Sequence, residues 1–271
     1  MKVRKAVVSG QFYSSDGYDI ERMIDRYNHA LDTHVADLDR LFALDTRGVM
    51  VPHAGYIYSG FTANVAFRIL GAKKPERVVV IGPSHRVYIE GFSVGVYDAY
   101  ETPLGSLRGD MALAKRLIEA FGAKHFSQAH AEHSTEVQFP FLKYYLPEVS
   151  VVELVYGKED PAHLSGVIDV LLSDSACAVV ISTDLSHYYM LEKAKKHDTV
   201  CLDAVASLDP VKLHQGCEAC GIIGMEAMIL SARESGLTPH ILDYRTSADT
   251  NGDEKQVVGY ASAIFTKESK A

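Results

Sequence analysis

The sequence lacks the features that mark membrane-spanning proteins and nucleic-acid-binding proteins. No segment reaches the roughly 18 consecutive apolar residues that are needed to span a bilayer. No cluster of Lys and Arg resembles a nucleic-acid-binding surface, and the formal net charge of −8 has the wrong sign for one. We therefore expect neither a membrane-embedded segment nor a nucleic-acid partner.

Signals for export and for a disulfide-stabilised fold are also missing. The N-terminal MKVRKAVVSGQFY carries basic residues but neither a long apolar region nor a small-residue cleavage site, which predicts a cytoplasmic protein. The four cysteines, Cys177, Cys201, Cys217 and Cys220, are scattered over a chain of 271 residues, which argues against a disulfide framework. Cys177 and Cys201 are predicted to be inert core residues. Cys217 is either a packed thiol or a resolving thiol for Cys220.

Short apolar runs alternate with amphipathic helical patterns along nearly the whole chain. Strands are predicted at 47–51, 77–82, 91–101, 150–157, 176–183, 239–245 and 256–265. Helices are predicted at 16–31, 59–70, 110–121, 161–172, 190–208 and 210–234. Because no repeat or linker interrupts the pattern, it predicts one α/β domain over residues 1–271, with a central, mostly parallel sheet flanked by helices.

Three of the predicted strands are each followed by a histidine. His53 comes after the strand that ends at Val51, His85 follows the strand at 77–82, and STDLSH places Asp184 and His187 after the strand at 176–183. Ligands usually bind at the carboxyl ends of parallel strands, so all three imidazoles are expected at one edge of the sheet. Eight other histidines lack this context and are predicted to lie on the surface: His29, His34, His125, His130, His163, His197, His214 and His240.

Two further segments collect polar side chains. AHAEHSTEVQFP places Glu132 and His133 just before a predicted helix start at Ser134. GCEACGIIG places Cys217 and Cys220 before another helix, whose N-terminus would lower a thiol pKa and favour a thiolate. On residue types alone, the most economical site is two histidines and one anionic ligand, which non-haem Fe(II) enzymes use.

Seven segments together resemble the Memo family in order and approximate spacing, from about residue 4 to residue 266: PHAGYIYSG, IGPSH, YETPLGSLRGD, EHSTEVQFPFL, STDLSHY, CGIIG and VVGYASA. This family is related to class III extradiol dioxygenases of the LigB-like type, which hold a non-haem iron in an α/β fold. The resemblance implies a LigB-like layered architecture and a metal site.

The resemblance also implies a ligand set. His53 and His85 correspond to the two metal-ligating histidines of the family. Cys220 corresponds to the cysteine that stands where the dioxygenases have a glutamate ligand. The implied metal is iron or copper, because imidazole and thiolate ligands suit both, and zinc is less favoured.

Four more residues are implied to be catalytic. His187 corresponds to the acid–base histidine beside the metal, and Asp184 to its neighbour in the pocket. Glu132 and His133 correspond to the EHS segment of the pocket. The implied activity is that of a metal-dependent oxidoreductase related to dioxygenases. The replacement of the glutamate ligand by Cys220 makes ordinary ring cleavage less favoured than the fold suggests.

The sequence departs from the better-known animal members near the pocket. Their cysteine is followed by Arg-His-Pro, whereas Cys220 is followed by Gly221, Ile222 and Ile223. The segment DLSHYY also lacks a cysteine and a tryptophan that those members have. These differences weigh against a transfer of the peptide-recognition role described for some Memo proteins, but they leave the ligand set intact.

Two other functions stay open. The first is a non-catalytic module or adaptor whose pocket recognises a small anionic, aromatic or phosphopeptide ligand, with Tyr56, Tyr58, His53 and Arg86 supplying stacking and charge. The second is a zinc hydrolase in which Glu132 or Asp184 activates a metal-bound water.

Memo-like proteins of prokaryotes often occur beside a radical SAM protein and an AMMECR-domain protein, which implies a shared pathway.

Overall fold

The computed structural model describes residues 1–34 and 38–268, which contain eleven strands. In chain order these are β1 (Val3–Arg4), β2 (Asp45–Val51), β3 (Arg77–Pro83), β4 (Phe92–Val94), β5 (Ala99–Tyr100), β6 (Leu107–Gly109), β7 (Ser150–Tyr156), β8 (Cys177–Ser182), β9 (His187–Tyr189), β10 (Leu237–Thr246) and β11 (Val257–Lys267).

Eleven α-helices occur in the same described residues. They are α1 (Gly17–His34), α2 (Leu38–Phe42), α3 (Tyr56–Lys73), α4 (Met111–Phe121), α5 (His133–Glu136), α6 (Phe139–Tyr145), α7 (Pro161–Leu172), α8 (Leu191–Ser207), α9 (Pro210–Leu213), α10 (Ile222–Ser235) and α11 (Ala248–Asn251), together with a 3₁₀ helix at Ser127–His130. None of the helices in this part of the chain is long and apolar enough to cross a membrane.

Five parallel strands form the centre of the sheet, in the order β6, β7, β3, β8 and β2. β11 and β10 extend the sheet beyond β2 as antiparallel strands, and β5 and β1 lie beyond β6. β4 pairs with β7, and β9 pairs with β11, outside this path. The predicted α/β class, with a central, mostly parallel sheet flanked by helices, is confirmed.

The central strands are covered on both faces. In β3, Val79 and Ile81 belong to the hydrophobic core that α4, α7, α8 and α10 complete, whereas Val78 and Val80 belong to the core on the side of α1, α3 and α6. All four side chains are fully buried, as the two-residue period of a strand requires when helices pack on both faces. Both faces of the central sheet are therefore closed to solvent.

Three predicted elements differ from the structure. α3 begins at Tyr56, and Ser59 lies inside it, where its hydroxyl donates to the carbonyl of Ala54. The strand predicted at 91–101 is divided into β4 and β5. The helix predicted at 210–234 is interrupted between α9 and α10, where Gly216 adopts a φ of 128° that a helix does not allow.

Two predictions about cysteine were wrong. Cys201 of α8 and Cys217, in the segment between α9 and α10, form a disulfide, so neither is a free packed thiol. The pair is 16 residues apart in sequence and meets only because α8 packs against α9. Cys177 is a buried free thiol, as predicted.

One histidine predicted to be on the surface is in the interior. His130 is 2% exposed, and its Nδ1 lies 2.8 Å from Oε2 of the buried Glu153. His29, His163 and His214 are exposed, as predicted. The side chain of His34 lies outside the described residues.

Candidate metal centre

Three neighbouring parallel strands end side by side and place polar residues at one edge of the sheet. His53, His85 and Asp184 each lie two residues beyond the end of their strands, which are β2, β3 and β8. β8 lies between β3 and β2. Oδ1 of Asp184 accepts a hydrogen bond from the backbone N–H of His53 at 2.7 Å. Of the three imidazoles expected at one edge of the sheet, those of His53 and His85 lie together, with ring centroids 5.1 Å apart.

Cys220 reaches the same place from the segment that precedes α10. Its backbone N–H donates to the carbonyl of Asp184 at 3.2 Å, and the N–H of Gly221 donates to Oγ1 of Thr183 at 3.0 Å. A Cβ at Gly221 would lie 2.5 Å from the Cβ of Thr183, so this approach requires glycine. These contacts hold Sγ of Cys220 3.3 Å from Nε2 of His53.

The donor atoms of His53, His85 and Cys220 lie within 4.8 Å of one another. His53 is 1% exposed, whereas the side chain of His85 is 31% exposed, so the group opens to solvent at His85. Two imidazole nitrogens and one sulfur are a donor set that first-row transition metals accept. The chemistry and spacing of these three side chains therefore fit a metal ion.

Ser182 fixes the tautomer of His53. Its Oγ donates to the carbonyl of Ser134, and it accepts from Nε2 of Gln138 at 2.9 Å. The single hydroxyl proton of Ser182 is therefore used in the hydrogen bond to Ser134. Nδ1 of His53 lies 3.0 Å from Ser182 Oγ, so Nδ1 must be the donor of this contact and carry a proton. Nε2 is left with its lone pair, which is the form that binds a metal.

Burial favours the neutral forms of two of these ligands. It lowers the pKa of His53 to about 4, and the neighbouring His85 and His133 add to this effect while Asp184 opposes it. Burial, together with the Asp184 carboxylate, raises the pKa of the Cys220 thiol. This is opposite to the lowering that a helix start predicted, because desolvation outweighs the α10 dipole. In the metal-free protein the site therefore holds a neutral imidazole and a thiol.

Glu132 is completely buried and connects the turn after β3 with the start of α5. Oε2 accepts from the backbone N–H groups of His85 at 2.6 Å and Arg86 at 3.2 Å. Oε1 accepts from the backbone N–H groups of His133 and Ser134 and lies 2.7 Å from Nδ1 of His133. Although burial alone would raise the pKa of Glu132, these hydrogen bonds hold it well below its usual range.

His133 is the third imidazole of the site. Its ring centroid lies 4.7 Å from that of His85 and 5.4 Å from that of His53. The donor atoms of His85, Glu132 and His133 form a second group within 4.8 Å, which shares His85 with the first. Phe12 packs on the other side of His133 at 4.7 Å between ring centroids. His133 is therefore oriented by Glu132 and Phe12 beside the candidate ligands.

The structure does not bring His187 into these groups. It begins β9, where it pairs with Val258 of β11, and its ring lies 5.8 Å from that of Tyr188. Within residues 1–34 and 38–268 its side chain has no hydrogen-bond partner. The acid–base role of His187 stays a prediction, and so do the catalytic roles of Asp184, Glu132 and His133.

Sequence reasoning missed the buried ionic network beneath the site. Arg4 contacts the carboxylates of Glu136 and Glu153, and its Nη2 also donates to the carbonyl of Glu132 at 2.8 Å. His130 completes the network on Glu153. A signal was present, because Glu153 is a charged residue in the middle of the apolar run SVVELVYG. Ser182 and Gln138 were also missed, and neither stands in a pattern that would single it out.

These observations define an α/β protein with a His–His–Cys candidate metal centre at the carboxyl edge of a mostly parallel sheet. Residues 4–264 match the family model described as Memo-like protein. A MEMO1 family protein of Aquifex aeolicus is 34% identical over 280 residues, which cover 98% of this chain and 100% of the relative. MEMO1 family proteins of Methanobrevibacter smithii and Methanopyrus kandleri are 34% and 32% identical, with 97% of this chain and 99% of each relative covered. The chain belongs to the Memo family.

Proposed function

We propose that His53, His85 and Cys220 bind iron or copper and that the protein is a metal-dependent oxidoreductase. The observation that carries this proposal is the convergence of two imidazoles and one sulfur within 4.8 Å at the carboxyl edge of the sheet. A soft sulfur ligand favours Cu(I) and also fits Fe(II), and imidazole suits either metal. When bound, such a metal would supply redox chemistry with oxygen.

The protein's own residues have three tasks in this proposal. Ser182 keeps Nε2 of His53 free of a proton, so that this nitrogen is a ligand at neutral pH. Glu132 fixes the backbone at His85 and holds Nδ1 of His133. The remaining ring nitrogen of His133 would then exchange a proton with a bound substrate.

The test is elemental analysis of protein purified without oxygen and without an affinity tag, alongside His53→Ala and Cys220→Ser. We expect near-stoichiometric iron or copper in the wild type and its loss in both variants. His29→Ala, which alters an exposed histidine of α1, is the matched control and should keep the metal. Zinc that both variants lose would favour a hydrolase. A protein that takes up neither Fe(II) nor Cu(I) would overturn the proposal.

A cavity beside the site favours a binding module as the second candidate function. It has a volume of about 470 Å³, and its lining includes Phe12, Tyr56 and Tyr58. Phe12 joins this cavity to His133 through their ring contact. A module that recognises an aromatic or anionic ligand without a metal would retain its affinity in His85→Ala, whereas metal-dependent binding would be lost.

A further inference from the structure

A second cavity lies apart from the candidate metal centre, at the same edge of the sheet. Its volume is about 460 Å³, which is within the range of small-molecule sites. Its lining includes Glu90, Gly91, Phe92, Phe121, Glu159 and His163. None of these residues belongs to either candidate ligand group. Glu90 and Glu159 follow the neighbouring strands β3 and β7, whose carboxyl ends form the edge where α/β proteins bind ligands.

The carboxylate of Glu159 is buried, and among the described residues only one of its two oxygens has a hydrogen-bond partner. Its side chain is 6% exposed. Oε1 accepts from the backbone N–H of Asp160 at 2.7 Å and lies 3.2 Å from Nδ1 of His163. Within the described part of the chain, Oε2 has no hydrogen-bond partner. A buried carboxylate oxygen without a hydrogen bond is unfavourable in free energy. A ligand that donates a hydrogen bond to Oε2 would therefore stabilise this site.

Gly91 leaves room for such a donor. Apart from the adjacent residues Glu90 and Phe92, the one heavy atom within 4 Å of a Cβ built at Gly91 would be Oε2 of Glu159, at 3.6 Å. The space in front of Gly91 is therefore open on the side where the unpaired oxygen lies. The φ of Gly91 is +79°, a value that favours glycine and keeps a side chain from filling this space.

The walls of the cavity suit an organic cation. His163 lies between Phe92 and Phe121, with ring centroids 5.6 Å and 5.9 Å apart, and Phe126 is a half-exposed third phenylalanine of the lining. Aromatic faces attract ammonium and guanidinium groups, and a buried carboxylate provides the ion-pair partner. Glu90 adds a second negative charge, against the single positive charge of the exposed Lys124.

We propose that this cavity binds a small organic amine, whose ammonium group donates to Oε2 of Glu159 while its apolar body lies against the phenylalanines. The cavity and the candidate metal centre are joined by one segment of chain, since His85 and Glu90 are only five residues apart. The two sites nevertheless share no side chain, so the binding of an amine does not depend on a metal.

The test is isothermal titration of the full chain with n-butylammonium chloride at constant ionic strength and pH 7. The uncharged n-butanol is the matched probe. We expect saturable one-to-one binding of n-butylammonium and at least tenfold weaker binding of n-butanol. Glu159→Gln should weaken n-butylammonium binding at least tenfold, whereas Glu192→Gln, on the exposed surface of α8, should not change it. His53→Ala should also leave it unchanged, which separates this inference from the proposed metal function.

Equal binding of n-butanol would overturn the inference, and so would an unchanged affinity in Glu159→Gln. Circular dichroism checks that this isosteric variant is folded. If it is not, Phe126→Ala decides, with an expected three- to tenfold loss of affinity. Amide resonances of Gly91 and Asp160 should shift on titration, and shifts confined to other parts of the chain would also contradict the assignment.

Discussion

Two buried polar clusters lie within this fold, and they differ in how their charges are satisfied. In the Arg4 network, both carboxylates contact the guanidinium group, and the tyrosine hydroxyl of Tyr13 and several backbone N–H groups complete Glu136. At the candidate metal centre, Nε2 of His53 and Sγ of Cys220 lie 3.3 Å apart, and among the described residues neither has a charged partner at hydrogen-bond distance. In the first cluster the charges compensate one another, although Nε of Arg4 has no hydrogen-bond partner among the described residues. The second cluster offers lone pairs to a ligand.

Glu132 takes part in both clusters. Its carboxylate binds the backbone at His85 and His133, while its carbonyl accepts from Arg4. The ionic network thus supports the turn and the short helix from which the site histidines project. A buried carboxylate that is fully hydrogen-bonded acts mainly as a positioning group.

Arg4→Met should produce the largest effect. It leaves Glu136 and Glu153 buried without their cation, which is expected to cost about 3–5 kcal/mol of unfolding free energy. Chemical denaturation of the metal-free protein measures this loss. Arg22→Met removes a surface arginine of α1 that lies over Tyr18, and it should cost less than about 0.5 kcal/mol. Equal stability of the two variants would show that the network is not a structural unit.

The next largest effect should be the pH dependence that His53 gives to the free energy of unfolding. Its pKa is near 6.5 in the unfolded chain and about 4 in the fold. The unfolded state therefore takes up a proton first, and the free energy of unfolding falls as the pH drops below about 6.5, by about 3 kcal/mol at pH 4. The measurement is the difference in unfolding free energy between metal-free wild type and His53→Gln at pH 7 and at pH 4. A difference that does not change with pH would contradict the buried neutral imidazole.

Ser182→Ala should have a smaller effect, which is expected in the affinity for the metal. Without the hydroxyl, both tautomers of His53 become available, and we expect a ten- to hundredfold loss of metal affinity, as is typical when the hydrogen-bond partner of a ligating histidine is removed. Competition with a chelator measures the affinity, and the nitrogen resonances of His53 report the tautomer. The control is Ser165→Ala, another buried serine, in α7. If the tautomer of His53 stayed fixed in Ser182→Ala, the positioning role would be refuted.

Much of the fold was predictable because the central strands are apolar runs and helices such as α1 and α4 are amphipathic. The predictions failed where tertiary contacts override local pattern. Gly216 ends a helix that periodicity continues, and the pairing of Cys201 with Cys217 depends on the packing of α8 against α9. His130 appeared to be an ordinary loop histidine because its partner, Glu153, lies on another element.

The candidate site was also partly predictable, because some of its residues directly follow the apolar strands. His53, His85 and Asp184 follow strands, so the rule for parallel sheets brings them together. Cys220 was implied by family resemblance, since its approach depends on hydrogen bonds to Asp184 and Thr183 that no local pattern contains. The tautomer set by Ser182 requires three-dimensional hydrogen-bond accounting, which a sequence does not provide.

X-ray absorption spectroscopy of the protein reconstituted with Fe(II) or Cu(I) reports directly whether His53, His85 and Cys220 hold the metal. We expect imidazole nitrogens and one sulfur in the first coordination shell of the metal, and the loss of the sulfur in Cys220→Ser. A shell of nitrogen and oxygen alone in the wild type, or a sulfur that persists in Cys220→Ser, would contradict the His53–His85–Cys220 centre.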